Sequence, residues 1–161
     1  FQNGALFDSM TVWENIAFSL LNVKKINPEE ARKIAIEKLA DVGLPAKVAN
    51  MMPSELSGGM RKRVGLARAI ADNPEIIFFD EPTTGLDPIM SDVINNLIVR
   101  CVKQLGATAL TITHDIHSAK KIADRIVMLY DGKIIWDGKP EDLSHPNNDY
   151  VEHFVKGISL D

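Results

Sequence analysis

The sequence has little of several features that define whole classes of protein. Its 161 residues include a single cysteine, Cys101, so an internal disulfide framework is excluded and Cys101 is expected to be a small core residue. No apolar run approaches the roughly 20 residues that span a bilayer as a helix. The formal net charge is −4, so the overall charge gives no sign of nucleic-acid binding. The length and composition fit one globular domain of ordinary size.

Signals for the ends of helices are frequent in the sequence. Thr11 begins a stretch with capping-box spacing, and Asn27 and Asp87 each precede a proline suited to the first turn of a helix. Gly43 and Gly106 stand where the helices that start after Asn27 and Asp87 are expected to end. These signals predict helices whose apolar residues recur every three or four positions.

Strand signals dominate the second half of the chain. Residues 76–79 are a short unbroken apolar run and residues 108–113 are β-branched and apolar, and both runs are typical of strands buried on both faces. Two further apolar runs flank Asp131-Gly132, which indicates a hairpin, and an apolar stripe over residues 150–158 predicts a terminal helix. Helices followed by strands that alternate with helices indicate an α/β fold with a helical subdomain and part of a parallel core.

Polar residues follow both of the predicted buried strands. Asp80 and Glu81 come after the first strand and His114 after the second, so we expect these side chains to face one crevice at the carboxyl ends of the strands. One carboxylate suits Mg²⁺ held largely through water, the other suits activation of a water, and the histidine suits a phosphate oxygen that gains charge. The alternatives are solvated acids at a strand end and, for His114, a capping histidine or a metal ligand paired with His117.

The stretch SELSGGMRKR sets Ser57-Gly58-Gly59 directly before a basic, helix-forming run. Glycine weakens a helix, so its presence needs a reason. A helix N-terminus offers unpaired N–H groups and a positive dipole end to an anion, and glycines let phosphate oxygens reach the backbone. The basic side chains of the run form either a solvated face or direct phosphate contacts; they are Arg61, Lys62, Arg63 and Arg68.

Five short motifs, taken in order, make the chain resemble the ATP-binding-cassette (ABC) ATPases over essentially its whole length. They are Phe1-Gln2-Asn3, similar to the Q-loop; Leu56 to Met60, similar to the signature motif; Ile76 to Glu81, similar to the Walker B strand with its catalytic glutamate; Thr84 to Asp87, similar to the D-loop; and His114, similar to the switch histidine. The finer pattern, with FQNGALFDSMTVWENIAF at the start and FVKGI near the end, is similar to the ATPase subunit of Mla/Mce-type lipid transporters.

This resemblance implies a fold and a division of the chain. The implied fold is a partial P-loop NTPase core of the RecA-like type, with parallel strands, together with the ABC helical subdomain. Residues 1–73 would hold the Q-loop, the helical subdomain and the signature helix. Residues 74–143 would form the RecA-like catalytic core with the Walker B strand, D-loop and switch histidine, and residues 144–161 a C-terminal helical tail.

The sequence departs from the family pattern in two places. Met60 stands where the signature motif usually ends in glutamine, although the backbone donors and the helix dipole remain. No G-x-x-x-x-G-K-[ST] P-loop is present, and in the family that loop lies upstream of the Q-loop. We therefore expect the chain to be the C-terminal portion of a longer protein and to be inactive toward ATP by itself.

The resemblance also implies roles at ATP sites shared by two subunits that dimerise head to tail. Ser57, Gly58 and Gly59 would contact the γ-phosphate held by the opposite subunit, and Asp87 would act across the interface. Gln2 and Asp80 would attend Mg²⁺, and Gln2 would also take part in catalysis. Glu81 would activate water, and His114 would stabilise the transferring phosphoryl group.

The implied cofactors are ATP and Mg²⁺. The implied partners are a second ATPase subunit in a homodimer, transmembrane permease subunits and, as a further candidate, a lipid-binding Mce-type subunit, with no nucleic acid. The implied location is the cytoplasmic face of a bacterial inner membrane, where Phe7 or Met10 is expected to contact the permease. The alternatives are an ABC ATPase of a small-molecule importer, an ABC-type ATPase acting on DNA or the ribosome, and a catalytically silent interaction fragment.

Overall fold

The computed structural model describes residues 4–157, which form two compact units, residues 4–112 and residues 113–157. The α-helices and strands of the first unit are α1 Val12–Ile16, α2 Phe18–Asn22, α3 Pro28–Asp41, α4 Gly58–Ile70, β1 Ile76–Asp80, α5 Pro88–Leu105 and β2 Thr108–Ile112. Those of the second unit are α6 Ile116–Ile122, β3 Ile126–Tyr130, β4 Lys133–Gly138 and α7 Asp149–Lys156. Within residues 4–157, no helix combines the length and the apolar character needed to cross a bilayer.

Side-chain caps fix the starts of the longer helices. The Asn27 side chain accepts a hydrogen bond from the backbone N of Glu29 at 2.9 Å, and Asp87 Oδ1 accepts one from the backbone N of Met90 at 2.9 Å. Helix α5 ends at Gly106, whose φ of +65° lies in the left-handed region that glycine adopts at little cost. The helix starts and the helix end predicted at these residues are confirmed.

Helix α4 lies at the centre of the first unit and packs against α1, α3 and α5. The side chains buried in this core are largely aliphatic, and each contributes about 1.5–3 kcal/mol by leaving water; they include Ile16, Leu39, Val64 and Ile70. Cys101 of α5 is 1% exposed among them, so its predicted role as a core residue is confirmed.

Strands β1 and β2 pair in parallel, with Ile76 opposite Thr108 and Asp80 opposite Ile112. Ile77 is buried against the helices, but Phe78 is 72% exposed and Ile112 is 62% exposed. The prediction that both strands are buried on both faces is therefore wrong for this structure. Side chains alternate between the two faces of a strand, and no layer of residues 4–112 covers the face that carries Phe78.

The second unit is built on an antiparallel hairpin of β3 and β4 with a register shift between Met128 and Leu129. Asp131 and Gly132 connect the strands with φ values of +46° and +69°, the left-handed pair that a two-residue hairpin turn needs. The hairpin prediction is confirmed. The predicted terminal helix is α7, whose apolar stripe buries Val151; Ile158, at the end of that stripe, lies outside the described residues.

A buried asparagine organises the segment before α1. Asn15 has no exposed surface, and its Oδ1 accepts a hydrogen bond from the backbone N of Phe7 at 2.7 Å. Its Nδ2 donates to the carbonyls of Phe7, Met10 and Thr11 at 3.0–3.1 Å. The predicted capping box is also present, since the backbone N of Thr11 donates to the Glu14 carboxylate at 2.7 Å.

We predict that Asn15→Ala lowers the stability of the full-length protein by about 2–4 kcal/mol, because it leaves a cavity and removes the side-chain partner of the Phe7 backbone N and the Met10 carbonyl. Asn22→Ala is the matched control, since exposed Asn22 donates only to the Phe18 carbonyl one turn away. Thermal unfolding of both variants measures the difference. Equal unfolding midpoints for the two would contradict the organising role of Asn15.

Candidate functional site

The N-terminus of α4 is an open, capped helix end. Ser57 is the N-cap residue, and its Oγ accepts a hydrogen bond from the backbone N of Met60 at 3.3 Å. Ser57 and Gly58 are both exposed. Backbone donors and the positive end of the helix dipole are therefore presented at the surface, where an anion can reach them.

The two glycines at this end differ in what the chain requires of them. Gly58 has no positive φ, and a Cβ placed on it would meet no atom within 4 Å, so nothing in the described chain demands glycine there. A Cβ on Gly59 would lie 2.6 Å from Cε of Met90, the flexible end of a side chain that can move aside. The space at Gly58 thus suits a ligand that approaches from outside the chain.

Met90 brings the N-terminus of α5 next to that of α4. Asp87 caps α5 through the backbone N of Met90, and the Met90 methyl lies against Gly59 of α4. Ile89, beside them, is 77% exposed. Two capped helix ends therefore lie side by side on one surface of the first unit. The capping role of Asp87 is confirmed, while its role across a subunit interface stays a prediction.

A strained turn follows β1. Asp80 ends the strand and is exposed, and Glu81 has a φ of +45°, a conformation that costs a non-glycine residue about 1–3 kcal/mol. The backbone N of Glu81 donates to the carbonyl of Ile112 at 2.9 Å, and Thr84 Oγ1 donates to Glu81 Oε2 at 2.8 Å. These bonds hold both the backbone and the carboxylate of Glu81 in place at the carboxyl end of β1.

The basic side chains of α4 hold backbone carbonyl groups. Their acceptors are the carbonyls of Leu56 for Arg61 (2.8 Å), Glu81 for Lys62 (3.2 Å), Gly43 for Arg63 (3.5 Å), and Gly4 and Ala5 for Arg68 (2.8 and 2.9 Å). Neither interpretation drawn from the sequence, a solvated face or direct phosphate contacts, includes these bonds, and the phosphate contacts stay a prediction. Except for Leu56, which lies five residues before Arg61, the acceptors are distant in sequence, so no local pattern signals them.

Arg68 and a pair of glycines fix the segment before α1 to α4. The backbones of Gly4 and Gly65 approach so closely that a Cβ on Gly65 would lie 3.0 Å from Cα of Gly4. Arg68 donates to this segment beside the crossing, and its guanidinium lies 6.0 Å from the ring centroid of Phe7, within reach of a cation–π interaction. Burial lowers the pKa of Arg68. Gln2, the predicted Q-loop residue, lies outside the described residues.

A cavity of about 330 Å³ opens beside the strained turn and is lined in part by Lys62, Phe78, Asp80 and Pro82. Burial lowers the pKa of the Lys62 ammonium, while its attraction to Glu81 and Asp80 acts in the opposite direction. Lys62 is therefore partly buried and lies in the electrostatic field of both acids.

Asp80 and Glu81 suit a metal ion only if a bound ligand supplies further coordinating atoms. Among the residues that the structure describes, no cluster of three or more His, Cys, Asp or Glu side chains could hold a metal ion. Mg²⁺ keeps several waters and is commonly bound by one or two carboxylates together with substrate phosphates. Asp80, exposed at the strand end, fits such a nucleotide-bound Mg²⁺, and residues 4–157 offer no set of ligands for a metal held by protein alone.

His114 is exposed and lies in the second unit, two residues beyond the end of β2. The cap of the following helix is Asp115, whose Oδ1 accepts a hydrogen bond from the backbone N of His117 at 2.9 Å, so the alternative of a capping histidine is wrong. That His114 faces the same crevice as the acids after β1 stays a prediction.

Comparison with known proteins places these features in a family. Residues 1–84 match a family model described as "ABC transporter". The chain is 42% identical over 159 residues to the intermembrane phospholipid transport system ATP-binding protein MlaF of Haemophilus influenzae, covering 99% of this chain and 60% of MlaF. It is 40% identical over 159 residues to the glycine betaine/carnitine transport ATP-binding protein GbuA of Listeria monocytogenes, covering 98% of this chain and 40% of GbuA.

A solved structure of an ATP-binding cassette is also similar to this chain. The dimeric ATP-binding cassette MJ0796, in a post-hydrolysis state bound to ADP and Pi, superposes with a TM-score of 0.76 at 37% identity, covering 87% of this chain and 61% of MJ0796. The predicted α/β class with a parallel strand pair is confirmed. The chain spans 40% of the length of GbuA and 60% of that of MlaF.

We predict opposite effects for two alanine substitutions in α4. Gly58→Ala leaves the unfolding midpoint of the full-length protein unchanged or slightly raised, because alanine favours helix by up to about 1 kcal/mol and the methyl meets no atom. Gly65→Ala lowers the midpoint, because its methyl would press on the Gly4 backbone. Calorimetric scans measure both, and a larger loss in Gly58→Ala would contradict the difference between the two sites.

Proposed function

The chain belongs to the ATP-binding-cassette (ABC) transporter family, and on that premise we propose that the protein containing it is the ATPase subunit of an ABC transporter. The observation that carries the proposal is the space at Gly58, on a capped and exposed helix end where the chain itself has no need of glycine. Such an end binds the phosphate of a nucleotide through backbone donors and the helix dipole. The similarity to a dimeric cassette bound to ADP and Pi supports the same ligand class.

In the proposed assembly, two subunits pair head to tail around two ATP molecules. Ser57, Gly58 and Gly59 donate to the γ-phosphate of the nucleotide held by the opposite subunit. Asp87, on the adjacent helix end, acts across the same interface, and the exposed Ile89 beside it supplies apolar contact area. The supporting observation is that both capped helix ends are exposed and that Met90, in the first turn of α5, lies next to Gly59 of α4.

Glu81 is the proposed general base, since a carboxylate next to the γ-phosphate can accept the proton of the attacking water. The turn that holds it and the hydrogen bond from Thr84 to its carboxylate reduce the motion that catalysis must overcome. Asp80, with Gln2, would hold Mg²⁺ largely through water, and when bound the ion neutralises phosphate charge. His114 is proposed to stabilise the transferring phosphoryl group.

The segment after Gln2 is the proposed contact with the transmembrane permease. Phe7 is 43% exposed although its ring stacks on Phe18 at 4.7 Å and lies over Arg68. Met10, in the same segment, is half-buried. An exposed aromatic ring held rigidly beside polar groups is typical of an interface anchor. Binding there would keep the subunit on the cytoplasmic face of the inner membrane.

For the transported substrate we propose a lipid, and as a further partner a lipid-binding Mce-type subunit. The similarity to MlaF, described as part of an intermembrane phospholipid transport system, supports the lipid. Glycine betaine is the alternative, because GbuA is similar at nearly the same identity. ATPase activity of the reconstituted transporter, measured with phospholipid or with glycine betaine added, decides between them; stimulation by betaine alone would contradict the lipid proposal.

We predict that two substitutions block hydrolysis at different steps in the full-length protein. Glu81→Gln keeps ATP binding, reduces turnover by a factor on the order of 1,000 and accumulates ATP-bound dimers, because an amide cannot accept the proton. Gly58→Ala also reduces turnover but accumulates no dimer, because its methyl blocks the phosphate.

Steady-state hydrolysis and size-exclusion chromatography in ATP distinguish these outcomes. The matched control is Glu75→Gln, at an exposed glutamate just before β1, and it should match the wild type in both assays. Near-normal hydrolysis by Glu81→Gln would rule out Glu81 as the base.

We predict that Phe7→Asp together with Met10→Asp removes copurification of the full-length subunit with its permease, because a buried charge in the contact is costly. Val23→Asp is the matched control, since Val23 is a 73% exposed apolar residue outside this segment. A complex that survives the double substitution while the ATPase remains folded would move the permease contact elsewhere.

A further inference from the structure

We propose that Lys62 is a positioning residue for the catalytic turn, in which its ammonium fixes the backbone of Glu81 to helix α4. The inference rests on the proposed ATPase function, since it concerns the residue that activates water there. It gives a role to a basic side chain that the sequence assigns to a solvated face or to phosphate.

The contact itself joins two separate elements of the first unit. Lys62 Nζ donates to the backbone carbonyl of Glu81 at 3.2 Å. Glu81 also bonds to the neighbouring strand, where its backbone N donates to the Ile112 carbonyl. Within the turn, the backbone N of Thr84 donates to the same Glu81 carbonyl at 3.3 Å, and the Thr84 hydroxyl donates to the Glu81 carboxylate. Lys62 thus adds a support from α4, the helix whose N-terminus carries Gly58 and Gly59.

The conformation of Glu81 explains why such a support matters. Its φ of +45° is unfavourable for a residue with a side chain, so the turn holds this shape only where surrounding bonds enforce it. If the bond from Lys62 is lost, the Glu81 carbonyl keeps the bond from the Thr84 backbone but is no longer tied to α4, so the turn is less restrained and the carboxylate can shift with the backbone. Small displacements of a catalytic group slow a reaction strongly.

The surroundings of Lys62 indicate a built contact rather than a chance one. The side chain lines the cavity beside Asp80, and burial lowers its pKa even though two acids attract it. Burying an ammonium is costly unless it is paired with acceptors, and here the Glu81 carbonyl is that acceptor. The cavity also leaves room for a larger cation at this position.

The experiment compares variants of the full-length subunit assembled with its permease, with kcat and KM for ATP measured separately. Lys62→Met keeps most of the apolar stem of the side chain but removes the donor, and it should lower kcat about 10- to 100-fold while KM changes by less than roughly threefold. Lys62→Arg keeps a donor and should restore most of kcat. Arg63→Met is the matched control. It removes a cation of the same helix whose hydrogen bond goes to the Gly43 carbonyl, away from the turn after β1, and it should leave kcat within about twofold.

A merely structural role predicts a different pattern, with loss of folded protein and no rescue by arginine. A folded Lys62→Met variant with wild-type kcat, or one whose loss lies in KM, would overturn the proposal. If Lys62→Met does not fold, Lys62→Gln replaces it, because its side chain is too short to reach the Glu81 carbonyl. The same changes in kcat and KM are then expected, and their absence would overturn the proposal. If the wild type hydrolyses no ATP, the proposed function fails as well; if it does and Lys62→Met matches it, only the positioning role fails.

Discussion

The hydrogen bonds from Lys62 and Arg68 of α4 to backbone carbonyls are the interaction on which the geometry of the candidate site depends. A cation that donates to a carbonyl fixes the path of the main chain without demanding a particular side chain there. Through Lys62 and Arg68, α4 holds the turn after β1 and the segment before α1. The apolar core keeps the helices together, but these bonds set where the functional segments lie along α4.

The strained turn and the open helix ends illustrate two ways to prepare a site. Glu81 is held in an unfavourable backbone conformation by neighbours on several sides, so its carboxylate is positioned before any ligand arrives. Gly58, in contrast, is left without neighbours, so the ligand finds space and unshielded donors. The strained turn limits the motion of a reacting group, and the open space at Gly58 keeps side chains of the protein out of the path of the ligand.

Local signals in the sequence predict the elements well because the interactions that fix them are local. Asn27 and Asp87 cap helices through donors two or three residues away, and Gly106 ends a helix by its own φ. The exposure of Phe78 and the acceptor of Lys62 could not be predicted in this way, because both depend on residues distant in sequence. An apolar run predicts a strand, but the layer that covers it must come from elsewhere.

The crossing of Gly4 and Gly65 has a mechanical consequence. A shift of the segment by one residue along α4 would bring the Ala5 methyl towards the Arg61 carbonyl, where a Cβ on Gly4 would already lie at 2.8 Å. Sliding is therefore opposed by contact between the two main chains, and Arg68 holds the carbonyls on the same side. The crossing thus sets the register of the segment on α4, so that a change at one of the two glycines is felt at both elements.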